Sequence, residues 1–409
     1  MREVASSLPT RETESNRRVG LLREAFRVPP PEERVRSWHV SPAIDMAAYH
    51  FSWLWILLPL LFAGPKFPED YLPLFVVVLT IGFVHRHYTL GYAYLDGEIF
   101  ARHRKRFICT PLILGAAFLA TPVLLKAILP SGALSIGGWR WPDVDLPLKV
   151  LVTTVVFGAG LWNIWHTLTQ KYGILRIYTA KALRQNEASV PPWVDRLFVL
   201  GWLPLIVAYV VPPFAEAILK EFRIAHLFVE PIVAWLVAAK PIAAPISAAF
   251  AIASSAIFAG FEWRTHRFGN HPRLSMAIGL GSLWACFVLV DPIKVYLAFA
   301  FSHGLEYMVF VWAYQRRRYT QPRFPQPVMA RLLAHPGIAY STYTLALAAI
   351  YVLLRDWKDF SLWQVPSVRV GQMKLGAWIF YWGVFQSLLH FYFDGFLWKT
   401  RQAEMRKSL

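Results

Sequence analysis

Charge is what this sequence has least of. Only 16% of its 409 residues are Asp, Glu, Lys or Arg, against roughly a quarter in an ordinary soluble domain. Acid is the scarcer sign: 25 Asp and Glu stand against 42 Lys and Arg, for a formal charge of +17. Cysteine is nearly absent. Cys109 and Cys286 both sit in apolar runs and read as small packing residues, which excludes a disulfide-stapled scaffold and a thiolate metal site. Low-complexity tracts, internal repeats and a domain boundary are also lacking, and no apolar core follows a charged start closely enough for a cleaved signal peptide. With 56% hydrophobic residues, 18 Trp and 29 Phe, this scarcity predicts a multi-span membrane protein.

Ten apolar runs approach the roughly 20 residues that cross a bilayer. They lie at about 46–63, 71–93, 107–129, 147–170, 194–213, 241–260, 273–290, 292–314, 338–354 and 375–398. The expected fold is therefore all-α: a polytopic integral membrane bundle of about ten transmembrane helices. It forms one domain over 45–399, between a polar basic tail at 1–44 and a short tail at 400–409. Residues 171–185 space Ile174, Ile177 and Tyr178 against Lys171, Arg176, Lys181 and Arg184, the pattern of an amphipathic helix lying in the interface. The stretch 224–239 is short for a span and is expected to be re-entrant or interfacial. The sixth run, PIAAPISAAFAIASSAIFAG, is small enough in its side chains to sit inside the bundle. His266 and His271, in the polar turn after it, are expected to be solvated.

The distribution of charge orients these runs. With ten spans, roughly 30 of the 42 Lys and Arg fall on the side shared by both termini, and positive residues are retained in the cytoplasm. Both termini are therefore expected to be cytoplasmic, in the inner membrane of a bacterial cell. The +17 is then a topology signal, and nucleic acid is not an expected partner.

Histidine is where the chemistry concentrates. The run 297–318, LAFAFSHGLEYMVFVWAYQRRR, holds His303 and Glu306 three apart, on one helix face. FQSLLHFYFDGFLWKTR holds His390 and Asp394 one turn apart; GFVHRHYTL holds His85 and His87; NIWHTLTQKYG holds His166 and Gln170. Ionisable residues in a bilayer cost roughly 2.5–3.5 kcal/mol each on insertion scales and mark functional sites by default. All four helices run from outside to inside, which brings His85, His166, His303 and His390 to similar depth near the cytoplasmic ends. A lone membrane histidine is commonly an interhelical hydrogen-bond partner. Four at one depth, two with acids beside them, are not explained that way.

Imidazole nitrogen with carboxylate oxygen suits iron, manganese or zinc, and helical bundles hold paired metals with such sets. The candidate ligands are His85, His87, His166, His303, Glu306, His390 and Asp394. Glu306 and Asp394 are also the candidate catalytic acids, with Gln170 and Tyr307 behind them. His85 and His87 point to nearly opposite sides of a helix. Either the helix unwinds there, or one of them serves a second metal or a substrate. Tyr88, Tyr92, Trp165, Tyr307 and Tyr392 read as interface-belt or core aromatics.

This arrangement resembles the integral-membrane, histidine-rich non-haem iron oxygenases: fatty-acid desaturases and hydroxylases, alkane monooxygenases and membrane carotenoid-cleaving oxygenases. The resemblance implies an iron site of one or two ions near the cytoplasmic face and a lipid-like substrate entering from the membrane. It also implies dioxygen as oxidant and a cytoplasmic electron donor. The desaturase boxes, H-x3-H or H-x4-H followed by H-x2-H-H, are absent, and the ligands come one or two per helix. His390-x3-Asp394 is also similar to one motif of intramembrane zinc hydrolases such as ceramidases, without their H-x3-H. A zinc lipid hydrolase is therefore the nearest rival expectation. A haem- or quinone-binding electron carrier and a proton-coupled transporter stand further off. Oligomeric state is not legible.

Overall fold

The computed structural model describes residues 38–66, 69–128, 146–183, 189–221, 229–266, 268–319 and 373–398, with short pieces at 135–136, 139–140, 342, 345–346 and 369–370. The ninth expected span, 338–354, lies almost wholly outside these residues. Eleven helices are described. The first three are α1 (Pro42–Asp45), running on into a π turn at Met46–His50, then α2 (Leu54–Leu61) and α3 (Leu72–Leu95). There follow α4 (Gly97–Ile128), α5 (Leu146–Leu183), α6 (Pro192–Leu200) and α7 (Leu203–Glu221). The last four are α8 (Val229–His266), α9 (His271–Leu289), α10 (Pro292–Tyr319) and α11 (Leu375–Leu397). Strand among the described residues is confined to two antiparallel two-residue ladders, Ser135–Ile136 with Trp139–Arg140 and Arg369–Val370 with Met373–Lys374. The all-helical class is as expected.

Among the described residues, five helical stretches are long and apolar enough to cross a membrane: Leu72–Leu95, Pro192–Pro213, Val233–His266, His271–Leu289 and Pro292–Tyr319. A sixth is a bent pair, Pro42–His50 with Leu54–Leu61, turned by 54°. This is the make-up of a membrane protein. Helix starts follow local chemistry. Asp96 Oδ1 accepts from the backbone N–H of Glu98 and Ile99 at 3.1 and 3.0 Å, and Asp291 Oδ1 accepts from Ile293 and Lys294 at 2.8 and 3.2 Å. Each carboxylate satisfies first-turn donors that have no partner inside the helix.

α10 is the central helix, packed against α2, α3, α5, α7, α9 and the π turn. Its approach to α3 is close because residue 304 is glycine: a Cβ there would stand 2.6 Å from Ile81 Cγ2. Gly279 admits the His50 carbonyl to α9 in the same way. The main core gathers Leu57, Leu168, Ile206, Leu283, Trp284, Val295 and Phe299 from five helices.

Four expectations about the elements are corrected. The first run is broken, since the π turn and the residues after it interrupt the ladder before α2 begins. Residues 171–183 are not an interfacial helix: they continue α5, and Lys171, Ile174, Leu175, Ile177, Tyr178 and Thr179 are buried. Their basic side chains find acids in the interior, which periodicity does not report. Residues 229–239 are not a separate re-entrant segment but the first three turns of α8, which runs 38 residues through Pro241 and Pro245. At 1.5 Å per residue that is about 57 Å, longer than the roughly 30 Å hydrocarbon layer. The amino-terminal tail is packed structure from Trp38 onward, not from 45. Asp45 accepts the backbone N–H of Val40 at 2.9 Å and of His39 at 2.5 Å, and the Lys181 ammonium donates to the Trp38 carbonyl at 2.7 Å.

Buried ion pairs gather where α5, α6, α8, α9 and α10 end or begin among the described residues. Arg273, fully buried, donates to Asp195 at 2.7 Å and Glu262 at 2.6 Å, and also to Thr179. Arg176 donates to Asp195 at 2.7 Å, and His266 faces Glu262 at 2.9 Å. His266 is therefore part of a buried network, contrary to the solvated position expected, whereas His271 is exposed. Arg318 donates to Asp96 at 2.8 Å and Glu98 at 2.7 Å, Tyr319 OH donates to Asp96 at 2.7 Å, and Arg317 reaches the His39 carbonyl. Arg317 and Arg318, beyond the expected end of the eighth run at 314, continue α10 and end it in buried contacts.

Candidate metal centre

Four imidazoles from four helices form a ring. His85 on α3 stands 4.9 Å from His303 on α10 and 4.8 Å from His390 on α11, ring centroid to centroid. His166 on α5 stands 5.1 Å from His303 and 5.0 Å from His390. His303 and His390 are 6.3 Å apart across it. Two imidazoles bound to one ion at about 2.0–2.1 Å have centroids about 4.5 Å apart at right angles and about 6.4 Å apart when opposite. The observed separations match neighbours and an opposite pair around one centre.

The hydrogen bonding turns the nitrogens inward. His85 Nδ1 engages the Ile81 carbonyl at 3.2 Å, and His390 Nδ1 engages Thr89 Oγ1 at 2.6 Å. Their Nε2 atoms, His166 Nε2 and both nitrogens of His303 are buried without a hydrogen-bond partner. A buried polar atom left unpaired costs about 1–3 kcal/mol. Each of the four imidazoles thus has at least one such nitrogen, and a cation is one group that balances facing lone pairs of this kind. One ligand atom from each of His85, His303 and His390 lies within 4.8 Å of the others, and the same holds for His166, His390 and Asp394. The two groups share His390, so the donors offered are four imidazoles and one carboxylate, a set that suits a metal ion.

Asp394 is the acid of this centre. Its Oδ2 lies 3.6 Å from Nε2 of both His166 and His390. Its Oδ1 accepts from Thr89 Oγ1 at 3.1 Å, Tyr307 OH at 2.9 Å and Trp398 Nε1 at 2.9 Å. With Thr89 donating to Asp394, the Thr89 oxygen is free to accept the His390 Nδ1–H, which leaves the Nε2 lone pair for the centre.

Two expected ligands are placed elsewhere. Both nitrogens of His87 are engaged, with the Phe83 carbonyl at 2.8 Å and Gln386 Nε2 at 2.8 Å. α3 does not unwind there, so the residue two beyond His85 faces α11 instead. Glu306 belongs to a neighbouring buried cluster. It pairs with the Lys171 ammonium, accepts from Ser302 Oγ at 2.7 Å and lies 3.5 Å from Gln170 Nε2. Gln170 also donates to the His303 carbonyl at 3.2 Å. Lys171, Thr89 and Trp398 escaped sequence reading. Lys171 was assigned to an interface, and Thr89 lies one helical turn beyond His85 with nothing but that spacing to mark it. The two cysteines are free and take no part.

Comparison with family models, with curated proteins and with solved structures finds no match to this chain. The reading of the site therefore rests on its own geometry.

Proposed function

We propose that this chain is an integral-membrane, mononuclear non-haem iron oxygenase acting on an apolar, lipid-like substrate. The observation that carries the reading is the ring of four imidazoles with their inward nitrogens unpartnered. His85, His166, His303 and His390 hold the ion, and Asp394 supplies the adjacent carboxylate. A catalytic zinc ion keeps three protein ligands and one water. Four imidazoles exceed that set, and an opposite pair such as His303 and His390 does not suit a tetrahedral ion. A six-coordinate ion keeps positions open beyond the same four, and iron accepts imidazole readily. The chemistry such an ion supplies is activation of dioxygen. A haem is disfavoured because neighbouring imidazoles stand where the macrocycle has to lie. A dinuclear site is disfavoured because Glu306 is committed to Lys171.

The chain's own residues prepare the rest. Thr89, Tyr307 and Trp398 hold Asp394 by one oxygen, so its other oxygen is kept facing the ring and can hold or release a proton there. Phe391 packs 4.8 Å from His166, and Trp162, about half exposed on the outer surface of α5, stacks 6.0 Å from Phe391. An apolar molecule in the bilayer thus lies within an aromatic ring or two of the centre. We further propose ten spans with both termini cytoplasmic, in a bacterial inner membrane, and a cytoplasmic electron donor. Contacts support that topology: Arg318–Asp96, Arg273–Asp195 and Arg317–His39 join residues assigned to the inner side. Lys294 with the Ala63 carbonyl, at 2.7 Å, joins two assigned to the outer side.

The test is elemental analysis with absorption and EPR spectra of the purified protein. Iron near one per chain without a Soret band is expected. Stoichiometric zinc overturns the oxygenase reading, and a metal-free protein overturns the site.

A further inference from the structure

Asp394 links the ring to an indole at the edge of the bundle. Trp398 follows the last residue of α11 and is half-buried. Its Nε1–H donates to Asp394 Oδ1 and to Tyr307 OH, each at 2.9 Å. One hydrogen bond and one carboxylate therefore separate the indole from the imidazole nitrogens of His166 and His390, 3.6 Å from Oδ2. On its other side the indole stacks on Tyr92 at 5.0 Å and 16°, and meets Tyr314 at 5.4 Å and Phe310 at 5.2 Å. These aromatics lead toward the arginine-bearing end, where Arg318 and Tyr319 meet Asp96. The adjoining surface is basic. Arg102, Arg104, Lys105 and Arg106 in the first turns of α4 are exposed, and the Arg106 guanidinium lies 4.9 Å over the ring of Phe396, two residues before Trp398.

An indole serving only as packing needs one acceptor and apolar neighbours. Here it joins the metal centre, through its carboxylate, to the edge of a positive surface. We propose that Trp398 is the residue through which electrons enter the site, delivered by a one-electron carrier protein with an acidic face that docks on the basic turns of α4. This rests on the iron reading above. The step is tunnelling through the indole and its hydrogen bond: the carrier loses one electron, the site gains one, and no bond is made or broken.

The experiment is anaerobic stopped-flow reduction of the full-length, iron-loaded ferric protein by a reduced plant-type ferredoxin, an acidic one-electron probe. Trp398→Phe keeps the stack and removes the N–H. It is expected to slow loss of the ferric signal about tenfold or more, read per bound iron in protein loaded with excess iron, because the lost N–H is also one of the three donors to Asp394 and its removal weakens iron binding. Trp398→Tyr, which restores a donor on an aromatic edge, recovers part of the rate, and Trp235→Phe on the exposed surface of α8 leaves it unchanged. The double reversal Arg104→Glu with Lys105→Glu touches only exposed side chains, so it serves where Trp398→Phe is not recovered folded. It should slow ferredoxin reduction about tenfold while leaving reduction by dithionite unaffected. Wild-type rates in Trp398→Phe, or in the double reversal, with iron intact overturn the inference and leave the site standing. A wild-type protein that holds no iron overturns both, and elemental analysis reports that before any rate is measured.

Discussion

His303 has neither ring nitrogen engaged, whereas His85 and His390 each anchor Nδ1 and offer Nε2. That asymmetry makes separable predictions. His303→Ala and His390→Ala remove proposed ligands, so both should insert and fold but carry little or no iron, as elemental analysis would read. Thr89→Val keeps the shape and removes the hydroxyl that orients His390 and Asp394. Loss of such a supporting partner costs about 10–100-fold in metal affinity, measured by competition with a chelator; wild-type affinity would show the hydroxyl to be idle. Glu306 tests differently, because its partner is Lys171 and not the ring. Removing one member of a buried ion pair strands the other and costs about 3–5 kcal/mol, while replacing both with apolar residues is often neutral. Lys171→Met should therefore melt well below wild type, and Lys171→Met with Glu306→Met should recover most of the loss. A double variant no more stable than the single one would mean that the carboxylate has work beyond the pair.

At the scale of the helix, the centre depends on how closely α10 crosses α3. Gly304 faces Ile81 and lies one residue from His303, and a methyl group at 304 would also stand 3.5 Å from His85 Nδ1. Gly304→Ala should push the two helices apart. Overpacking of this kind costs about 1–3 kcal/mol and should lower both melting temperature and iron content. Ile81→Ala in the same chain should restore both, since the colliding Cγ2 is gone. If the double variant regains stability but not iron, the crossing supports the fold and the ring is set by other contacts. The length of α5 matters in a related way. One uninterrupted helix carries His166, Lys171, Arg176 and Tyr178 from the ring of imidazoles to the ionic network, so these residues hold fixed positions relative to one another.

At the scale of the molecule, large apolar side chains stand exposed on many of the described helices, with Trp55, Leu112, Trp162, Trp235, Ile246 and Ile252 among them. The proposed orientation puts Arg104 inside and Lys66 outside, both exposed. In a background freed of Cys109 and Cys286, a membrane-impermeant maleimide applied to intact cells should label Lys66→Cys and spare Arg104→Cys until the membrane is opened. The reverse pattern would invert the bundle and move the metal centre to the outer leaflet.

Composition and periodicity alone were enough to establish a helical membrane chain, because twenty apolar residues in a row have few alternatives to a helix. They also singled out His85, His166, His303 and His390, since histidine in an apolar helix is costly and four at one depth demand a reason. The acids were a different matter. Glu306 and Asp394 look equivalent along the chain, each one turn from a histidine, yet one carboxylate pairs with a lysine and the other faces the ring. A residue's partner across the bundle depends on helix rotation, and no single-helix pattern encodes that. For the same reason a basic, amphipathic stretch at 171–183 read as membrane surface, although its cations meet Glu306, Asp195 and the Trp38 carbonyl in the interior. Spacing along one helix says which side chains share a face. Only the packing of all of them decides what that face meets.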